Sequence, residues 1–63
     1  MMTNETITSM DPYILLSVVN TKLRDEYSSL DLLCDDLDVE QSKIIDKLES
    51  IDYKYNSEDN QFK

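Results

Sequence analysis

The chain has 63 residues, with 14 acids against 6 bases, a net charge of −8, and neither histidine nor glycine. That length holds one domain; the acidity repels phosphate backbones, which nucleic-acid binders meet with Lys and Arg, and it disfavours anionic membranes. Without histidine there is no Ser–His or Cys–His nucleophile and no imidazole metal ligand, and without glycine no phosphate-cradling glycine loop.

A domain this small buries only roughly 60% of its unfolded surface, so a partner or a second copy adds stability. No apolar run approaches the ~20 residues of a membrane span, and no secretory apolar segment is evident. A single cysteine, Cys34, forms no internal disulfide, which suits an intracellular, cytoplasmic location. It reads as a small core residue and not a reactive thiol, because Asp35 and Asp36 disfavour a thiolate.

Residues 1–10 are polar and Thr-rich and are expected to form a flexible leader, with a short extended piece at Thr6-Ile7-Thr8. Asp11-Pro12 is a strong helix start, Asp as N-cap and Pro at the first helical position. The first helix is expected from Pro12 to about Tyr27, with Leu15, Leu16, Val19, Leu23 and Tyr27 as its inward stripe. Asn20 lies beside that stripe, and a half-buried amide there must be paired, most simply with a neighbouring turn. Lys22 and Arg24 form the densest basic spot and read as solvated or paired with Asp25, Glu26 or Asp31.

The stretch from Ser29 to Ile51 has the apolar spacing of a helix-turn-helix. Ser29 is a plausible N-cap. Leu30, Leu33, Cys34 and Leu37 then recur at steps of three and four on one face. Asp38 ends that helix in place of the usual glycine, because Asp tolerates left-handed backbone. Val39 is the apolar plug of the turn. The next helix runs from about Glu40 to Ser50, with Ile44, Leu48 and Ile51 inward. After Ile51 the period changes to two: Tyr53 and Tyr55 alternate with Asp52 and Lys54, as in a strand. Residues 56–60 are turn material, and Gln61-Phe62-Lys63 returns as a second strand. A lone hairpin is unstable in water, so Tyr53, Tyr55 and Phe62 must lean on the helices.

The fold class that follows is mainly α with a small β-hairpin: a three-helix helix-turn-helix core plus a C-terminal two-stranded wing. Residues 11–63 form a single winged helix-turn-helix-like domain. Among the carboxylates, Asp35, Asp36, Asp38 and Glu40 are densest, but a calcium loop wants a glycine turn and a terminal Glu at fixed spacing, and a glycosidase pair wants a cleft. The group reads as a solvated acidic face, and no enzyme, cofactor or metal is expected.

With Ile44, Leu48 and Ile51 turned inward, Glu40, Gln41, Ser42, Ile45, Asp46 and Glu49 face outward. Gln41 and Ser42 could read base edges, but three acids would then face phosphates, with only Lys43 and Lys47 flanking them. An apolar centre ringed by acids suits a protein contact instead. Gln41, Ser42, Ile45, Asp46 and Glu49 are therefore the candidate partner-contact face, for a protein partner or a homo-oligomer. The alternative is a DNA-binding transcriptional regulator of winged helix-turn-helix type, acting as a dimer or with a basic partner.

Taken together, Asp11-Pro12, Leu15-Leu16-Ser17, Asn20, Lys22-Leu23-Arg24-Asp25, Tyr27, Ser29-Leu30-Asp31, Leu33-Cys34, Leu37, Ile51-Asp52-Tyr53, Tyr55 and Asn60-Gln61-Phe62 resemble a family of short bacterial proteins, domain of unknown function 4250. The resemblance runs from about Met10 to Lys63. It implies a small stand-alone bacterial protein of the cytoplasm. It carries over no activity and no site residues.

Overall fold

The computed structural model describes residues 3–63. Four helices and a hairpin follow one another: α1 (Asn4–Ser9), α2 (Pro12–Asp25), α3 (Leu30–Leu37), α4 (Gln41–Glu49), β1 (Tyr55–Asn56) and β2 (Gln61–Phe62). The chain is thus mainly helical with a C-terminal antiparallel hairpin. Leu15, Val19 and Leu23 of α2 meet Leu30, Leu33 and Cys34 of α3 and Ile44 and Leu48 of α4 in one buried cluster. Leu37 does not join that cluster fully. It is half-buried at the last turn of α3, where the chain swings away and leaves the side chain at the rim, as Ile51 is after α4.

The helix ends are set by their caps. The Asp11 carboxylate accepts from the Tyr13 and Ile14 N–H groups, with Pro12 at the first helical position. Ser29 Oγ accepts from Leu32 N–H at the start of α3. Asp38 ends α3 at φ 56°, Asp52 follows α4 at φ 66°, and Asn60 closes the hairpin at φ 52°. With no glycine in the chain, Asp and Asn fill all three left-handed positions among the described residues. Their short polar side chains tolerate that region better than others do. After α4 the Tyr53 N–H reaches the Leu48 carbonyl, five residues back, which closes the turn in the Schellman manner.

Two expectations are corrected. Thr6-Ile7-Thr8 is not extended. It lies in α1, whose N-cap Thr3 accepts from Thr6 N–H, and Ile7 is fully buried. α1 packs along α4, so an apolar side chain with no apolar neighbours in sequence finds its cover in tertiary contact. Met1 and Met2 of the expected leader lie outside the described residues. The strand also starts later than the Tyr53 alternation suggests, because Tyr53 is held by the turn that ends α4. β1 is Tyr55–Asn56, paired Tyr55 to Phe62 and Asn56 to Gln61, and the Lys54–Lys63 backbone bonds lengthen the ladder by one pair. No helix is long and apolar enough to cross a membrane among the described residues.

Candidate functional site: the outer face of α4

α4 presents Ile44 and Leu48 inward, both fully buried. The helix turns by roughly 100° per residue, so Ile45 falls on the shoulder. It is half-buried, packed on the core with its remainder open. Ser42, Asp46 and Glu49 are exposed. Gln41 is half-buried, and its Nε2 donates to Asp31 Oδ1 at 2.5 Å, tying the start of α4 to α3. All five residues of the expected contact face therefore lie along one side of α4, and Gln41 is in part already committed.

The bases beside this face are spent within the chain. Lys43 Nζ lies 3.6 Å from Glu40 Oε2. Lys47 Nζ donates to the Thr8 carbonyl of α1 at 2.6 Å. Asp46 and Glu49 have no ion-pair partner among the described residues. A shallow hollow of about 360 Å³ lies beside them, lined by Thr8, Lys43, Asp46, Lys47 and Ser50. It is open to solvent.

Polar residues elsewhere are used for architecture. Asn20 makes two bonds to one residue of the hairpin: its Nδ2 donates to the Phe62 carbonyl at 3.1 Å, and its Oδ1 accepts from Phe62 N–H at 2.8 Å. Its partner is thus a strand, not a turn. Asn60 Nδ2 donates to the Leu23 and Tyr27 carbonyls at 3.0 and 2.9 Å, which satisfies one carbonyl in the last turn of α2 and one just beyond it. Tyr55 OH donates to Asn60 Oδ1 at 2.7 Å and accepts from Leu30 N–H at 3.3 Å. One amide and one phenol therefore join the hairpin to α2 and α3. Neither Asn60 nor Tyr55 stands out in the sequence, where one looks like turn material and the other like an alternating strand residue. Lys22 pairs with Glu26 and Arg24 with Asp25, at 3.3 and 3.0 Å.

Tyr27 and Cys34 have displaced pKa values. Tyr27 OH donates to Asp36 Oδ2 at 2.5 Å, and that bond to a carboxylate pushes the phenol up to about 12. Burial, aided by the Asp31 charge, pushes the Cys34 thiol up, away from a reactive thiolate. Among the described residues no group of His, Cys, Asp and Glu is placed to hold a metal ion.

A protein-family model described as Domain of unknown function (DUF4250) matches residues 9–62. Among curated proteins and solved structures, nothing matches the chain.

Proposed function

The chain belongs to the DUF4250 family, whose description assigns no activity, and from that premise we propose that it is a non-catalytic module that binds another protein through the outer face of α4. The observation that carries this reading is the contrast along α4. Among the described residues Asp46 and Glu49 have no ion-pair partner, while Lys43 pairs with Glu40 and Lys47 Nζ is turned to the Thr8 carbonyl. Ile45 supplies an apolar side chain beside Glu49, one turn away along the helix. A partner with a basic rim around an apolar pocket would pair the acids and cover Ile45. The lone buried cysteine suits a reducing compartment, and the reading puts the module in the bacterial cytoplasm.

The regulator reading keeps one specific support. Two short helices joined by a tight turn and followed by a hairpin make the order of a winged helix-turn-helix. Shape does not carry function, and the acids of α4 would meet phosphates. The two readings part in one experiment. Immobilised wild-type protein is exposed to a lysate of its native bacterium, beside Ile45→Lys and the double variant Asp46→Lys/Glu49→Lys, and labelled duplex DNA is titrated in parallel by fluorescence anisotropy. The expected result is a protein retained by the wild type, released by salt, and lost on both variants, with no appreciable DNA binding at moderate salt. Retention that ignores both variants overturns the α4 reading. Sub-micromolar DNA binding that weakens steeply with salt puts the regulator first.

A further inference from the structure

The charges of this chain are unevenly spread. From Pro12 to Thr21 there is no charged residue in a chain that is 32% charged. This run is nearly the first three turns of α2. Leu15 and Val19 take its inner face. Phase then puts Ile14, Ser17 and Thr21 on the opposite side, three and four residues apart, with Tyr13 and Val18 at the flanks. Ile14 is 57% and Tyr13 62% exposed, two of the three large apolar side chains most open to solvent among the described residues. Ser17 and Thr21 are exposed and Val18 is half-buried.

We propose that this neutral face of α2 is a self-association seam, occupied by α2 of a second copy running antiparallel about a twofold axis near Ser17 and Val18. The occupant follows from the charge. Two copies at −8 each repel, so they can meet closely only where neither carries charge. The pairing also avoids like-charge contact at its ends, because Lys22 and Arg24 balance Glu26 and Asp25 there. A twofold near Ser17 and Val18 sets Ile14 of one copy over Thr21 of the other. It brings the Asp11 end of each helix opposite the Lys22 and Arg24 end of its mate. Those two are the only bases before Lys43. Antiparallel helices also set the positive N-terminal end of one dipole beside the negative C-terminal end of the other. Ser17 and Thr21 are short enough to let the backbones come close, with Ile14 filling the space beside them. The symmetry is isologous, the commonest form in homo-oligomers.

The seam is narrow. A standard interface buries about 800 Å² per partner, and a 14-residue helix is only about 21 Å long. The association is therefore weak, and it needs a concentration series reaching millimolar protein. It stands apart from the α4 reading, since it uses another helix and another occupant.

Sedimentation velocity on the full chain tests it. The wild type is expected to rise from the monomer mass of 7.4 kDa toward twice that value with concentration. Added salt should strengthen the association, because it screens the repulsion between like-charged copies. Ile14→Lys should raise the midpoint concentration at least tenfold with an unchanged circular dichroism spectrum, while Ile45→Lys should leave it where it was. A second route does not depend on Ile14: Ser17→Cys, close to the axis, should cross-link to a dimer under mild oxidation, and Glu49→Cys should not. A wild type that stays monomeric at millimolar concentration overturns the proposal. So does association that Ile14→Lys leaves intact, or a Ser17→Cys protein that cross-links no faster than Glu49→Cys.

Discussion

Two short elements dock on the three-helix core from opposite ends of the chain, and they are held by different means. α1 contributes one buried side chain, Ile7, and its polar links to α4 are exposed: Glu40 N–H to Asn4 Oδ1 at 2.8 Å, and Lys47 Nζ to the Thr8 carbonyl at 2.6 Å. The hairpin contributes one buried side chain too, Phe62, whose ring lies 5.5 Å from that of Tyr55. Its polar links, however, are half-buried: Asn20 bonds both the N–H and the carbonyl of Phe62, and Asn60 Nδ2 donates to two carbonyls at and beyond the end of α2. A hydrogen bond exposed to water exchanges one partner for another at little gain, whereas a group shielded from water has no substitute when its partner is lost. The hairpin is therefore part of the fold's fixed frame, and α1 is an attachment to it.

The difference between frame and attachment shows first in the two buried side chains, Phe62 and Ile7. Phe62→Ala should cost about 3–5 kcal/mol, and Ile7→Ala about 2 kcal/mol, the low end for a buried aliphatic. The second loss is capped because α1 can detach once Ile7 no longer holds it, and nothing further is then forfeited. Stability of a small domain is itself only about 5–15 kcal/mol, so the Phe62 change removes much of it. Urea unfolding followed by circular dichroism measures both. An Ile7→Ala protein less stable than Phe62→Ala would mean that α1 belongs to the frame.

The same difference explains which parts could be read from sequence. The helices α2, α3 and α4 carry three or more apolar residues at steps of three and four; α2 has a marked start in Asp11-Pro12 and α3 a marked start and stop in Ser29 and Asp38, while α4 is read from its spacing alone. Phe62 and the two tyrosines likewise lie in an alternating pattern next to turn residues. α1 has a single apolar residue among Thr, Asn, Glu and Ser, so no period exists to count, and its helical state comes from packing on α4 and the Thr3 cap. A lone Ile between two threonines resembles a strand by composition, and tertiary contact decides otherwise. The outward placement of Ser42, Asp46 and Glu49 was legible because Ile44 and Ile45 cannot both point inward. The Asn60–Tyr55 joint was not, because its members are distant in sequence from the carbonyls and N–H group they satisfy.

A sharper test separates the hydrogen bonds from the ring. Asn20→Ala leaves both the N–H and the carbonyl of Phe62 half-buried and unpaired, and should cost about 1–3 kcal/mol. Asn20→Asp keeps an acceptor for the N–H but sets a second oxygen against the Phe62 carbonyl, so it should be no better than Ala. Chemical denaturation ranks the three proteins. An Asn20→Asp chain as stable as wild type would mean that the donor half of the pair contributes nothing.

The smallest expected effect lies at α1. Glu40 precedes α4 as its N-cap, yet its side chain makes no capping bond. Its backbone N–H is met from outside by Asn4 Oδ1. Asn4→Ala removes that acceptor, but the group is exposed and water replaces the side chain, so the loss should be about 0.5 kcal/mol, at the low end for a hydrogen bond. Global unfolding will barely register this, and amide exchange is the better readout. The Glu40 N–H should exchange faster in Asn4→Ala, while the Phe62 N–H, held by Asn20, should keep its wild-type protection. Asn4→Asp retains an acceptor oxygen near a helix N-terminus, where negative charge is favoured, although Glu40 itself lies close by. The two opposing terms should leave Asn4→Asp between wild type and Ala. If loss of Asn4 also released the Phe62 N–H, α1 and the hairpin would open as one unit, and the distinction between frame and attachment would fail.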